Sequence, residues 1–400
     1  MNFFDTDFIR TQFLKKGYKE VPFGEKADVY VVNTCTVTKG ADRDSRKLLY
    51  KAKRLNPDAV VVATGCYAQV SPDELAKLEA VDLVVGNTHK AELLKLVEEY
   101  LERKNPGKVF VGEIFREGEV KNFDPVVAFE HTRPFLKVQE GCNSFCSFCV
   151  IPYARGKVRS VPPEKVLEAV RRLADLGYKE VVLTGTQLSQ YGWDVGTSLL
   201  ELLEKLLTVE GIEYFRLSSM SVAEIDDPLL ELITSSEKVA PHFHLSLQSG
   251  SDRILKLMRR NYSAEEYAQK VQSIVERRPI TAVGTDVIAG FPTETDADFE
   301  KTVELIERLP LAYLHAFPYS DRPFTKAAKL KPKVPPAVIK ERVRVLQELN
   351  EKKKREFRKR VEGAEVRALV LGNGKVLTEN YLELPAPPQS ERGQVVRVRL

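Results

Sequence analysis

The sequence is poor in cysteine, with five in 400 residues, an odd number. That density excludes the disulfide-stapled secreted class, and in a reducing compartment such thiols more often bind metal or do chemistry than pair with one another. The five histidines show no metal-ligand or catalytic-triad spacing, so none is given a role. No uninterrupted apolar stretch approaches the ~20 residues of a membrane-spanning helix, and the start MNFFDTDFIR has neither the basic region nor the apolar core of a signal peptide. No membrane partner is therefore expected, and the expected address is the cytoplasm. Fixed-period repeats and low-complexity tracts are missing as well. What is there, 43% apolar and 30% charged residues, is the balance of a globular chain long enough for two or three domains.

The formal net charge of +4 hides an asymmetry. Between Lys326 and Arg360 stand fourteen Lys or Arg against four Glu, a local +10 that leaves −6 for the rest. Such a segment suits a polyanionic partner, although a solvated helix face gives the same run.

The β-branched runs DVYVVNTC (28–35), AVVVATGC (59–66) and VDLVVGN (81–87) alternate with the helical patterns KLLYKAKRL and AELLKLVEEYLERK. They predict a small parallel sheet covered by helices. Cys35 and Cys66 each end an apolar strand, so both emerge at the carboxyl edge of the sheet, where open α/β folds bind ligands, and there they can share one. A polar passage, 116–125, links to six further candidate strands at 135–139, 180–185, 214–219, 243–248, 282–290 and 313–320. Helical patterns separate them, which supports a parallel, partly closed (β/α)6 barrel with its site above the strand carboxyl ends. KPKVPPAV then reads as a linker into a basic helix, and the alternating tail with Gly-Asn-Gly at 372–374 reads as a small β-module. The fold class is α/β, with domains expected at 1–122, 123–335, 336–360 and 361–400.

Cys142, Cys146 and Cys149 come directly after the first barrel strand with the spacing Cys-x3-Cys-x2-Cys. Structural zinc is almost always four-coordinate, and the nearest histidine, His131, precedes the strand. A 4Fe-4S cluster on three cysteines leaves one iron open to a substrate or cofactor. Spacing alone leaves both readings standing.

This pattern at the first strand of a β/α barrel resembles the radical S-adenosylmethionine enzymes. More narrowly, EGCNSFCSFCVIPYARGKVRS, HLSLQSGSDRILKLMRRNY, TDVIAGFPTET and FPYSDRPFTKAA resemble the methylthiotransferases, as do NTCTVT and TGCYAQ. The TENYLEL-bearing tail resembles the RNA-binding TRAM module. NTCTVT with GCYAQ looks most like the bacterial branch acting on N6-threonylcarbamoyladenosine at tRNA position 37. Sibling enzymes act on isopentenyladenosine or a ribosomal-protein aspartate, and a non-catalytic RNA-binding protein with a metal site is the rival from another class.

The resemblance implies replacement of the adenine C2 hydrogen by a methylthio group. An aromatic C–H has no easily lost proton, so the hard step belongs to cofactors: two 4Fe-4S clusters and S-adenosylmethionine. It implies an open-site cluster on Cys142, Cys146 and Cys149 and an auxiliary cluster on Cys35 and Cys66. It places Phe148 against the cofactor adenine, Gly185 beside the methionine moiety, and Ser219, Gln248 and Ile288 along the cofactor pocket. Arg155 and Arg159 would meet substrate RNA phosphate. The basic helix and tail would take the tRNA anticodon arm, an electron donor such as flavodoxin or ferredoxin would serve the clusters, and the enzyme would be a monomer.

The chain departs from the family pattern in four places. Methylthiotransferases present a third amino-terminal cysteine just before the first helix. MNFFDTDFIRTQFL aligns with the helix immediately after that cysteine, so the expectation is a start upstream of Met1 that would also supply a first strand. Phe324 and Thr293 stand where glycine is common. The tail is shorter than a typical TRAM module.

Overall fold

A computed structural model describes residues 2–102, 107–123 and 131–400. Its amino-terminal sheet is parallel and ordered β1 (Val29–Thr34), β2 (Val60–Gly65), β3 (Leu83–Val85), β4 (Val109–Phe110). All six residues of β2 are buried, which is why this central strand reads as an unbroken run rather than an alternation. The two-residue β4 is too short to carry a period, so the sequence pattern does not reveal it. Helices Asn2–Lys15, Lys39–Leu55 and Leu93–Leu101 pack around this sheet. The last two positions of the expected helix 91–104, and of the polar passage 116–125, lie outside the described residues.

The second unit opens with β5 (Phe135–Lys137). A short antiparallel pair, β6 (Gln139–Glu140) and β7 (Arg159–Ser160), then brackets the cysteine loop. There follow β8 (Glu180–Thr184), β9 (Tyr214–Leu217), β10 (His242–His244), β11 (Ala282–Ala289) and β12 (Tyr313–Pro318). The parallel sets β5-β8-β9 and β10-β11-β12 are joined by bridges at Phe215–Val239 and Met220–Leu245, so the six expected strands are present. Among the described residues β5 and β12 do not pair, and the barrel is open there. The expected strand 243–248 is regular only over His242–His244. Beyond it the chain stays paired through a bridge from Gln248 to Val287, with Gln248 in the left-handed region at φ 70°.

Helix Pro336–Val361 buries Arg342, Leu346, Leu349, Lys353, Phe357 and Val361, spaced three or four apart and hence on one face. The tail forms β13 (Glu365–Val370), β14 (Lys375–Thr378), β15 (Glu383–Pro385) and β16 (Val395–Arg399), antiparallel in the order β15-β14-β13-β16. Its two edges do not pair among the described residues, so the expected barrel-like module is here an open sheet: β15, at three residues, is short for closing one. No helix among the described residues is long and apolar enough to cross a membrane.

The two α/β units are tied by buried charge. Asp5, fully buried, accepts from Lys90 Nζ and Lys137 Nζ at 2.9 Å each, from Arg155 Nη2 at 3.1 Å, and from Asn122 Nδ2 at 2.9 Å. Glu140 accepts from Arg155 Nη1 at 2.7 Å on the far side. Burial alone would raise the Asp5 carboxyl, but Lys137, Lys90 and Arg155 outweigh it and hold the group well below the usual carboxylate range. A folded value below the unfolded one means that the stability from this site is complete above about pH 4 and is lost as pH falls toward the folded value. Asp5→Asn leaves three buried cations undercompensated and is expected to cost about 3 kcal/mol or more at neutral pH. Urea titrations between neutrality and acid should show the variant's stability falling less steeply with acidification than the parent's.

Candidate metal and cofactor site

The register of β1 on β2 pairs Thr34 with Gly65, so the next residues, Cys35 and Cys66, leave the sheet side by side. Gly65 is required there: its φ is +96°, and an added Cβ would lie 2.5 Å from the Thr34 carbonyl oxygen. Cys66 opens the helix Cys66–Val70, and Cys66 and Val70 pack against Val150 and Ala154, just after Cys149. The two groups of cysteines therefore meet across one small apolar contact. Burial pushes the Cys35 thiol up, and the neighbouring Arg155 guanidinium opposes that shift. Asn87 Nδ2 donates toward Cys66 Sγ at 3.9 Å.

The Cys142–Cys149 loop is pinned by its backbone. Cys142 N–H donates to Gly156 O at 3.1 Å, Ser147 N–H to Met258 O at 3.0 Å, and Ala327 N–H to Ser147 O at 2.8 Å. Donors also face the sulfurs: Ser144 N–H lies 3.5 Å from Cys142 Sγ, and Arg260 Nη1 3.3 Å from Cys146 Sγ. Burial raises the Cys142 and Cys149 thiols, so without metal they are held neutral, and a bound metal would displace their protons. The spread of the sulfurs bears on the choice between zinc and iron. A zinc ion with Zn–S bonds of about 2.3 Å needs tetrahedral sulfurs ~3.8 Å apart. Among the described residues one set of His, Cys, Asp or Glu ligand atoms lies within 4.8 Å of one another, and it is not these three. Three thiolates set wider than a single ion requires, with no fourth ligand, fit a polynuclear iron–sulfur group with one open iron.

Beside Cys149 lies a cavity of about 170 Å³, lined by Phe148, Gln248, Asp286 and Ile288 from the barrel and by Val37 and Thr38 from the amino-terminal unit. Phe148, Gln248 and Ile288, three of the expected pocket residues, are thus brought together. The left-handed Gln248 is a non-glycine residue held at a sparsely populated φ on a cavity wall. Ser219 and Gly185 do not line this cavity. Ser219 Oγ is hydrogen-bonded to His244 Nδ1 at 2.9 Å, and Gly185 is packed so that a Cβ would lie 2.6 Å from Gln139 Oε1.

Two expectations are corrected. Arg155 and Arg159 are 3% and 5% exposed; Arg155 pairs with Asp5 and Glu140, and Arg159 Nη2 donates to the Arg155 carbonyl at 2.6 Å. Side chains so enclosed do not present themselves to RNA phosphate. The histidines, assigned no role, also gather: His244 Nε2 is 3.1 Å from Asp286 Oδ1, and His315 completes a triplet whose ligand atoms lie within 4.8 Å. Their signal was the alternation of strands rather than spacing in sequence, since His244, Asp286 and His315 occupy the neighbouring strands β10, β11 and β12. Thr293 and Phe324 both have positive φ, at 72° and 66°, a conformation that glycine adopts without strain.

Two family models match the chain: the Radical SAM superfamily over residues 136–306, and the uncharacterized protein family UPF0004 over residues 1–86. The chain is 63% identical over 398 residues to a threonylcarbamoyladenosine tRNA methylthiotransferase MtaB of Aquifex aeolicus (strain VF5), with 100% of this chain and 97% of the relative covered. It is 40% identical over 363 residues to the protein of the same name in Bacillus subtilis (strain 168), covering 89% and 79% respectively. Among solved structures it is similar to the radical S-adenosylmethionine methyltransferase TsrM from Kitasatospora setae with cobalamin and a 4Fe-4S cluster bound. There the TM-score is 0.60 at 15% identity, over 81% of this chain and 74% of that one, a likeness of fold.

Gly65→Ala should separate Cys35 from Cys66 as well as strain the backbone. The expected loss is about 2 kcal/mol in chemical denaturation, with less iron retained after anaerobic reconstitution than in a Gly24→Ala control, whose added Cβ meets nothing within 4 Å.

Proposed function

The chain belongs to the radical S-adenosylmethionine tRNA methylthiotransferases, and we propose that it replaces the C2 hydrogen of N6-threonylcarbamoyladenosine at tRNA position 37 by a methylthio group. The observation that carries the reading is the meeting of the Cys35–Cys66 pair with the segment just after Cys149. The high identity to relatives bearing that substrate in their names supports it.

Cys142, Cys146 and Cys149 would hold the open-site 4Fe-4S cluster, and Cys35 and Cys66 the auxiliary one. When bound, the clusters and S-adenosylmethionine supply the one-electron, sulfur and methyl chemistry that an aromatic C–H demands. The chain's own groups do the rest. Arg260 places a permanent cation against the Cys146 sulfur and favours its thiolate. Phe148, Gln248 and Ile288 shape the cofactor cavity, whose apolar walls exclude water from a reactive species. Ser219 acts one step back, fixing His244 from Nδ1 while Asp286 holds Nε2, so the imidazole is oriented from both sides. Gly185 allows β8 to end tightly against Gln139 beneath this wall.

In this reading residues 1–122 carry the auxiliary centre, 123–335 the cofactor site, 336–360 the basic helix and 361–400 an RNA-facing sheet. The partners are the tRNA anticodon arm and a donor of the flavodoxin or ferredoxin kind, and the enzyme works as a cytoplasmic monomer.

Cys146→Ala should abolish cleavage of S-adenosylmethionine by the anaerobically reconstituted protein. Cys66→Ala should retain cleavage yet form no methylthio product. Mass spectrometry of tRNA nucleosides from a strain lacking the gene should show loss of methylthio-threonylcarbamoyladenosine, and an unchanged level would reject the substrate.

A further inference from the structure

Four aromatic rings gather at the rim of the cysteine loop. Phe115 and Phe145 stack with centroids 6.2 Å apart and planes at 20°. Tyr153 stands edge-on to both, at 5.9 and 6.4 Å. Phe324 lies 5.5 Å from Tyr153 at 32°. The rings come from three separate segments: the short turn Ile114–Arg116 after the amino-terminal sheet, the stretch running from the cysteine loop into helix Ile151–Arg155, and the loop after β12.

Single exposed aromatics need no explanation. Here two further features coincide. Phe115 is 42% and Phe324 64% exposed, so rings of this cluster face solvent instead of closing a core. Phe145 and Phe324 also sit at φ 44° and 66°, where a bulky side chain is disfavoured and glycine is not. The chain thus holds two strained phenylalanines, one of them largely in water, beside its most reactive loop. Strain retained at a rim points to a ligand that uses it.

The surroundings select the ligand. Exposed Lys157 follows Tyr153, exposed Arg116 follows Phe115, and exposed Lys326 and Lys329 follow Phe324, opening the most basic stretch of the sequence. Rings interleaved with cations fit single-stranded nucleic acid, in which bases stack on aromatic faces and phosphates meet Lys and Arg. An enzyme that acts on a base takes it out of the stack, leaving the neighbouring base with an uncovered face.

We propose that Phe324, with Tyr153, Phe145 and Phe115 behind it, is a stacking platform for the unpaired nucleobase next to the target nucleotide. The inference rests on the reading of the substrate as tRNA and adds the subsite that grips it. Arg322 keeps the platform in register with the amino-terminal unit, since its guanidinium bonds Thr36 and pairs with Asp42 at 2.7 Å.

The test uses the full-length, cluster-reconstituted protein and a fluorescein-labelled anticodon stem-loop RNA, read by anisotropy across a salt series. Phe324→Gly removes the ring and relieves the backbone, so it should melt no lower than the parent. It should bind the hairpin about tenfold or more weakly, with an unchanged slope of log affinity against log salt because no phosphate contact is lost. Phe324→Leu should show a similar loss, because bulk without a π face does not stack. Affinity equal to the parent's in Phe324→Gly would overturn the proposal, as would a loss matched by a lower melting temperature. Equal affinity with slower reduction of the holoenzyme by reduced flavodoxin would assign the rim to a protein donor and equally overturn it. A parent protein that binds no hairpin would sink the tRNA reading itself, a distinct result.

Discussion

One buried carboxylate sets the distance between the two groups of cysteines. Asp5 lies on the first helix and touches Lys90, Arg155 and Lys137 at once. Lys90 belongs to the turn Asn87–Glu92, whose first residue faces Cys66. Arg155 ends the short helix after Cys149, and Lys137 ends β5, the strand before the cysteine loop. Each cation thus reports to a different part of the site, and the carboxylate holds all three to one point. Buried ion clusters are costly, and apolar side chains of similar volume often stabilise as well. What an ion cluster adds is position, because one oxygen pair satisfied by three cations and an amide tolerates little sliding of one unit on the other.

Position matters more here than affinity. Sulfur placed near one group of cysteines and a radical generated near the other can react only if the intervening distance is small and water is kept out. The contact of Cys66 and Val70 with Val150 and Ala154 supplies the dry seam, and the Arg322 bridge to Thr36 and Asp42 closes the same interface from the β12 side. The interface between the amino-terminal sheet and the barrel is therefore itself the wall of the reaction chamber, with Val37 and Thr38 reaching across into the cofactor cavity.

Local patterns make much of this legible. Short β-branched runs mark the six barrel strands and three of the four amino-terminal ones, and a cysteine at the end of an apolar run is enough to place Cys35 and Cys66 at a sheet edge. Cavity residues next to a motif, such as Phe148 and Gln248, are legible for the same reason. The features that stay hidden depend on partners far away in sequence. Arg155 reads as a surface arginine until Asp5, 150 residues earlier, is folded against it. His244 and His315 lack ligand spacing because barrel neighbours are separated by whole helices. The open tail sheet escapes the sequence because strand alternation does not say whether edges meet.

The basic segment shows the same limit in its charge. Its local excess reads as one RNA-facing stretch, yet the fold divides it. Arg342 is buried against Glu294 and Asp296, Lys353 caps the carbonyls of Glu307 and Leu309, and Arg360 donates to Pro310 and Thr281 carbonyls. These three lie along the face that docks on the barrel, where they replace water for backbone groups left at the ends of strands and helices. Exposed Arg355, Arg358 and Lys359 remain near the carboxyl-terminal end, where cations also complement the helix dipole. The helix is thus a strut first, and the charge it can offer a polyanion is concentrated at its far end and in the loop before it. A tRNA that engages both ends of the segment must span the barrel face between them, which fits a long-armed substrate whose loop enters the site while its stem rests on the tail.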